Sequence, residues 1–229
     1  MTLDGLTGRG VRVAVIDSGV NLAHPHISGV AGGVEIAAPG ETPNYIDRLG
    51  HGTAVMAAIA EKAPEARLYA VKVFDCTLAT TAGRILQAID WAIGQQIQIA
   101  NLSLGTSNPA RREPFAKMVA QASDAGLVLV AAEGSLPGDL PGVIAVALHS
   151  ECPRQEYRYA NKNGRPLFYA SGYPRSIPGV PEDRNLNGIS FAVANMTGFV
   201  ARACEACGHG SVDELQAVLI AGAAGACRG

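Results

Sequence analysis

The segment VAVIDSGV at residues 13–20 joins an apolar run of strand length to a carboxylate, Asp17. An Asp directly after a buried strand often only caps the turn that follows. The segment therefore predicts a buried strand, and it leaves two roles open for Asp17, a turn cap or a member of a site.

Around this segment, strand-like apolar runs alternate with longer amphipathic segments, which predicts a parallel sheet wound with helices. The alternating segments are VRVAVI at 11–16, the stretch after His51, RLYAVKV at 67–73, GRILQAIDWAIGQ at 83–95, IQIANLSLG at 97–105 and PFAKMVAQASDAG at 114–126. The runs at 126–132 and 141–148 are apolar without period-two alternation, which suits strands covered on both faces. The predicted fold class is α/β with a mostly parallel central sheet.

The length and composition allow one large core. The chain has 229 residues, 48% of them hydrophobic and 17% charged, which is enough for a sizeable buried interior. The segment 149–187 is irregular, but no repeat, low-complexity tract or linker marks a boundary. We expect a single domain over residues 1–229.

Several partner classes are disfavoured by the sequence. A net charge of −2, without a Lys/Arg cluster interleaved with aromatics, argues against nucleic acid. The apolar stretches fall short of the roughly 18 residues that a membrane helix needs, and residues 1–10 do not resemble a signal peptide. Five cysteines, an odd number, fit reduced thiols. We expect a cytoplasmic protein without nucleic-acid or membrane partners.

Cys204 and Cys207 form a C-x-x-C pair that raises a metal or redox alternative, with His209 nearby. No second C-x-x-C or paired His completes a zinc ligand set. The small residues around the pair suggest a tightly packed helix, in which cysteine behaves as a small hydrophobe. We expect no metal and no cofactor.

Two further segments carry side chains that pair chemically with Asp17. HGTAVMAAI at 51–59 begins with His51, and NGISFAVANMTG at 187–198 contains Ser190. A serine hydroxyl is a weak nucleophile until a base removes its proton. Together, Asp17, His51 and Ser190 would form a nucleophilic triad, in which His51 takes the proton of Ser190 and Asp17 fixes the imidazole tautomer. Taken singly, Ser190 also fits a helix cap and His51 a turn histidine.

The order Asp, His, Ser with these flanks resembles the subtilisin-like serine proteases, the subtilases. Other segments follow in family order, namely RLYAVKVFD, IANLSLG, VLVAAEGS, PGVIAVAL and FYASG, so the resemblance covers nearly the whole chain. It implies a subtilisin-like three-layer α/β/α fold and a serine endopeptidase that hydrolyses an extended polypeptide through an acyl-enzyme. No G-x-S-x-G elbow surrounds Ser190, as an α/β-hydrolase would require.

The resemblance also implies two walls of a substrate pocket. One wall is Ser103, Leu104 and Gly105, whose backbone would pair with an extended substrate, and the other is Ala132, Glu133 and Gly134. The alternative is that the first segment is only a core strand and its turn. Relatives generally carry Ala at Glu133, whose carboxylate would either favour a basic substrate residue or turn away and pair with an Arg or a backbone group.

Departures from the family pattern bear on activity. Ser135 stands where subtilases usually have the Asn whose amide donates to the oxyanion. We expect Ser135 and the Ser190 N–H to serve there, with slowed catalysis, because a hydroxyl is shorter than an amide. Ile189, Ala194 and Asn195 also differ from the family and are expected to tune helix packing and the space for the leaving group, not to supply the proton relay.

Two further departures concern stability and folding. Residues 60–66 replace a longer loop that carries calcium in many relatives, and no dense carboxylate cluster compensates, so we expect no structural calcium. The resemblance to the mature family domain begins within a few residues of Met1, which predicts folding without a propeptide unless the chain is trimmed.

The favoured function is a serine endopeptidase with a selective polypeptide substrate, such as a precursor peptide that loses its leader. The rival is a protease-like domain that binds a peptide or partner protein with negligible turnover. An esterase or transacylase would share the acyl-enzyme and differ in the acceptor. The retention of Asp17, His51 and Ser190 favours an active enzyme.

Overall fold

The computed structural model describes residues 3–37, 40–208 and 210–225, and a twisted sheet forms its centre. The strands are β1 (Arg12–Asp17), β2 (Gly32–Ala37), β3 (Gly40–Thr42), β4 (Arg67–Lys72), β5 (Ile99–Leu102), β6 (Val128–Ala132), β7 (Val143–Leu148), β8 (Tyr157–Lys162) and β9 (Arg165–Ala170). The helices are α1 (His51–Lys62), α2 (Ala82–Gly94), α3 (Arg112–Asp124), α4 (Ile189–Cys207) and α5 (Val212–Gly222).

The strands lie in the order β3-β2-β4-β1-β5-β6-β7-β9-β8. Pairing is parallel from β2 through to β9, and β3 and β8 are antiparallel strands at the two edges. The mostly parallel sheet predicted from the alternation of segments is therefore confirmed.

The antiparallel edge formed by β8 and β9 was not predicted from the sequence. Its two strands are joined by Asn163 and Gly164, both with positive φ, at 53° and 81°. Asn-Gly is the preferred pair for a two-residue hairpin turn, because both positions adopt positive φ at low cost. The pair was the signal for this hairpin.

Helices cover both faces of the sheet, and alternate residues of β1 show it. Val13 and Val15 pack in one apolar cluster with α1, α4 and α5, whereas Ala14 and Ile16 pack in a second cluster with α2 and α3. Successive strand residues point to opposite faces, so both faces of β1 must be apolar. The result is the three-layer α/β/α arrangement.

The carboxyl ends of β1, β5 and β6 meet at one edge of the sheet, because parallel neighbours run in the same direction. Helix α1 begins at the same edge with His51, and Ser190 in the first turn of α4 contacts the segment that follows β5. Ligands of open α/β sheets bind outside the carboxyl ends of the strands. The fold thus gathers the chemically interesting side chains at this edge.

The described residues contain neither a membrane-spanning helix nor a metal-binding group of side chains. None of the helices is both long and apolar enough to cross a membrane. In the same part of the chain, His, Cys, Asp and Glu side chains form no group of three or more that is suited to a metal ion. Cys204 is buried in α4 and Cys207 half-buried, and His209 lies outside the described residues.

Candidate active site

Asp17 is the last residue of β1 and is completely buried. Its Oδ1 accepts a hydrogen bond from the Ser18 N–H and lies 2.7 Å from Nδ1 of His51. Oδ2 has no hydrogen-bond partner among the described residues. A buried carboxylate is costly unless it is paired, so the imidazole is the natural partner of this charge.

His51 is the first residue of α1, and its side chain is 16% exposed. The turn before it is organised by the carboxylate of Asp47. That carboxylate accepts hydrogen bonds from the N–H groups of Leu49, Gly50 and Thr53 and from the hydroxyls of Ser18 and Thr53. The entry to α1 is therefore fixed by one acidic side chain that the sequence analysis did not single out.

Gly52 explains why the HGT sequence lets α1 approach β1 so closely. A Cβ at this position would lie 2.3 Å from the carbonyl oxygen of Gly19, a distance that no real side chain tolerates. The Gly52 N–H also donates to the Ser18 hydroxyl at 2.9 Å. Only glycine at position 52 allows His51 to reach Asp17.

The environment of His51 favours its protonated form. Burial alone would lower its pKa, but the hydrogen bond to Asp17 and the charges of Asp17 and Asp47 raise the pKa above its usual value. The imidazolium that forms when a base takes a proton is thus stabilised in place.

Ser190 is the second residue of α4, and it lines the same cavity of about 500 Å³ as His51. Its hydroxyl donates to the carbonyl of Ser103 at 3.4 Å, and the Ser103 hydroxyl donates to the carbonyl of Ser190 at 3.1 Å. Within the described residues, no hydrogen bond joins Ser190 to His51. Catalytic hydrogen bonds are often long or poorly aligned before substrate binds.

A chain of side-chain hydrogen bonds through buried residues connects Ser103 to α4. The Asn101 amide donates to the Ser103 hydroxyl at 2.9 Å, and its Oδ1 lies 2.9 Å from the hydroxyl of Thr197 in α4. Asn101 and Thr197 are both fully buried. An Asn inside the apolar run IANL was the signal for this chain of contacts, and the sequence analysis did not use it.

Asn195, one of the departures from the family pattern, has a structural role in α4. Its amide donates to the carbonyls of Ser171 and Tyr173, at 3.0 and 2.9 Å. These bonds tie the irregular segment after β9 to the helix that carries Ser190 in its first turn.

The predicted first wall of the substrate pocket lines the cavity of His51 and Ser190. Ser103, Leu104 and Gly105 all face it. The same cavity is also lined by Phe74, by residues 78–82, by Ile85 and by Phe115. These lining residues were missed in the sequence, because they carry no chemical signal of their own.

The residues of the predicted second wall do not line this cavity. None of the five cavities described contains Ala132, Glu133 or Gly134 among its lining residues. The carboxylate of Glu133 pairs with the ammonium group of Lys162 on β8. Of the two interpretations of Glu133, the geometry favours the side chain that turns away and pairs.

Ser135 does not line the cavity that contains Ser190 either. Its hydroxyl donates to the Ala132 carbonyl at 3.3 Å and lies against Gly105. The Ser190 N–H, in contrast, is in the first turn of α4, where helical N–H groups have no partner within the helix. The two predicted oxyanion donors are therefore placed differently, and only the Ser190 N–H accompanies the nucleophile.

Comparisons with known proteins show the family of this chain. The model of the subtilase family matches residues 8–227. The chain is similar to subtilisin E of Bacillus subtilis (strain 168), with 33% identity over 218 residues, which cover 86% of this chain and 56% of subtilisin E. A subtilisin of Bacillus pumilus is also 33% identical over 218 residues, covering 86% of this chain and 78% of that protein. The chain thus spans little more than half the length of several relatives it matches.

A solved structure supports the fold. The crystal structure of a cold adapted subtilisin-like serine proteinase aligns with a TM-score of 0.73 at 21% identity, covering 95% of this chain and 83% of that one. At this identity the likeness shows the fold alone, and it confirms the predicted subtilisin-like architecture.

Proposed function

The chain belongs to the subtilase family, and on that premise we propose that it is a serine endopeptidase with Ser190 as nucleophile, His51 as base and Asp17 as the carboxylate that orients the base. The observation that carries the proposal is the buried Asp17 carboxylate, which lies 2.7 Å from Nδ1 of His51, a residue that lines the same cavity as Ser190.

The proposed reaction uses the contact between Asp17 and His51. Because Nδ1 of His51 donates to Asp17, the lone pair is on Nε2. Nε2 takes the proton as Ser190 Oγ attacks the substrate carbonyl, and Asp17 stabilises the resulting imidazolium. The proton then passes to the leaving amine, the peptide bond breaks and an acyl-enzyme remains. Water releases the acyl group by the same proton relay in reverse.

In this proposal, the negative oxygen of the tetrahedral intermediate accepts a hydrogen bond from the Ser190 N–H. The first turn of α4 also presents the positive end of the helix dipole. The Ser135 hydroxyl is engaged by the Ala132 carbonyl, so it must change partner before it donates to substrate. Turnover is accordingly expected to be slow.

The proposed substrate is an extended polypeptide that lies along residues 103–106. The cavity beside this segment is lined by several apolar side chains, namely Phe74, Leu78, Ile85, Leu104 and Phe115. Burying one large apolar substrate side chain there would contribute about 1.5–3 kcal/mol. Slow turnover and side-chain selection suit a selective processing enzyme acting on a precursor peptide, and the cytoplasm remains the proposed location.

The test is intact mass after incubation with a fluorophosphonate, on the wild-type chain, Ser190→Ala and a control, Ser150→Ala, in the exposed turn after β7. A single adduct on wild type and Ser150→Ala, absent from Ser190→Ala, supports the proposal. No adduct on folded wild type contradicts it and favours the peptide-binding domain without turnover.

A further inference from the structure

The sheet order places two loops on opposite sides of the segment 103–106, which follows β5. At the carboxyl edge, β1 and β4 lie on one side of β5, and β6 lies on the other. The loop after β4 borders the open cavity that contains His51. The loop after β6, residues 133–142, borders the other side.

The side toward β6 is closed by direct backbone contact. Thr106 and Leu136 exchange both of their backbone hydrogen bonds, at 3.0 and 2.9 Å. A Cβ on Gly105 would lie 2.5 Å from Ser135 Oγ and 2.8 Å from the Leu136 carbonyl oxygen. The two segments therefore touch, and the gap between them is too narrow for a bulky side chain.

The loop after β6 is also held rigidly in this position. The Gly134 N–H donates to the Asp139 carboxylate at 2.7 Å, and the Asp139 N–H donates to the Ser135 carbonyl at 3.0 Å. From β9, the Arg165 guanidinium donates to the carbonyls of Asp139 and Leu140, at 2.8 and 2.6 Å. Withdrawal of the loop from Gly105 would disturb these bonds, so the closure is a stable property of the fold.

An extended peptide paired along residues 103–105 directs its successive side chains alternately to the two sides of this segment. One set of side chains then faces the open cavity that His51 and Ser190 line, and the other set faces the loop after β6. The proposal assigns the residue with the scissile carbonyl to the second set.

We infer that the enzyme cleaves after glycine or alanine, because the contact of Gly105 and Thr106 with Ser135 and Leu136 closes the space that a larger side chain would need. The inference rests on the proposed function. Selectivity for large apolar residues then comes from positions further from the scissile bond, which face the open cavity.

The experiment uses two peptidyl diphenyl phosphonates on the full chain, with the same peptide and either an alanine or a phenylalanine analogue at the reactive position. Their second-order labelling rates are measured by intact mass. The alanine probe is expected to react at least about tenfold faster, since a mismatched pocket typically costs that much or more. Equal rates, or a faster phenylalanine probe, overturn the inference.

Labelling with the small fluorophosphonate distinguishes failure of this inference from failure of the proposed function. This probe has no side chain that would have to enter the space between Gly105 and the loop after β6. If it labels Ser190 while the two peptidyl probes react equally, only the closed gap is wrong. If it fails to label folded protein, the proposed protease is wrong, and the inference that rests on it falls with it.

A variant pair tests the cause of the selectivity. Ser135→Gly removes the side chain that faces Gly105, and it is expected to lower the ratio of the alanine rate to the phenylalanine rate. Ser150→Gly makes the same change in the turn after β7 and should leave the ratio unchanged. A Ser135→Gly ratio equal to that of wild type shows that Ser135 is not the barrier. If Ser135→Gly fails to fold, the ratio of the alanine rate to the phenylalanine rate on the wild-type protein alone tests the inference.

Discussion

The two halves of the candidate site are held in different ways. Around His51, the carboxylates of Asp17 and Asp47 accept hydrogen bonds from Ser18, from His51 and from the turn at residues 49–53, and glycine at position 52 permits close contact. Around Ser190, the hydroxyl has one long hydrogen bond, to Ser103. The base is fixed in advance by buried charge, whereas the nucleophile is placed by its helix and keeps freedom to turn.

The largest expected effect comes from the half that contains the base. Asp17→Asn preserves the shape of the side chain but no longer holds the proton on Nδ1 of His51, so the fluorophosphonate labelling rate should fall about 10³–10⁴-fold. Asp124→Asn, at the exposed end of α3, is the control. A decrease of less than tenfold would show that the buried carboxylate does not orient the base.

The second change affects the folding of the same half. Asp47→Asn removes the charge that accepts five hydrogen bonds, and the free energy of unfolding at neutral pH should fall by about 1–3 kcal/mol in a urea titration.

The pH dependence of stability tests whether the ionised Asp47 carboxylate causes this loss of unfolding free energy. Burial would raise the pKa of Asp47, but the hydrogen bonds from Thr53, Leu49 and Ser18 hold it below its usual value. Its contribution is therefore present at neutral pH and lost as the pH falls through the lowered pKa. The difference between wild type and Asp47→Asn should shrink in acid, and a constant difference would assign the loss to packing.

The third change probes the half that contains the nucleophile. Thr197→Val is isosteric but removes the hydroxyl beside Asn101 Oδ1, which leaves a buried acceptor without its partner at a cost of about 1–3 kcal/mol. We expect lower stability and a modest fall in the labelling rate of the folded protein. Thr197→Ser should restore both. A labelling rate that stays at the wild-type value in Thr197→Val would show that the buried chain does not position Ser190.

The smallest effect is a shift in a pH profile. Only neutral His51 accepts a proton, and because its pKa is raised, the labelling rate should rise with pH through a midpoint above 6.5. The residual rate of Asp17→Asn should have a lower midpoint, since the hydrogen bond and charge that raise the pKa are gone. A wild-type midpoint below 6.5 would mean that burial outweighs Asp17.

The sheet and the members of the site were predicted on different grounds. The mostly parallel sheet followed from the alternation of apolar runs with amphipathic segments, which is local in sequence. Asp17, His51 and Ser190 were predicted only as a set, because their order and flanks resemble the subtilases. Taken singly, each side chain also fitted a turn or a helix cap.

What was missed depends on contacts between distant residues. The closure of the loop after β6 requires Arg165, more than twenty residues further along, to bind the carbonyls of Asp139 and Leu140. The role of Asp47 appears only when Ser18, far from it in sequence, is folded beside it. Neither residue type has a pattern that marks such a role, because a carbonyl or a hydroxyl is available everywhere in the chain.

The hairpin of β8 and β9 is a place where sequence changes during evolution would alter the site indirectly. Its turn, Asn163 and Gly164, directly precedes Arg165, which holds the loop that narrows the gap beside Gly105. An insertion or substitution in this turn would shift Arg165 and let the loop relax while Asp17, His51 and Ser190 stay as they are. Under the proposed function, substrate preference in descendants of this chain can therefore drift through changes at a sheet edge, without mutations in Asp17, His51 or Ser190.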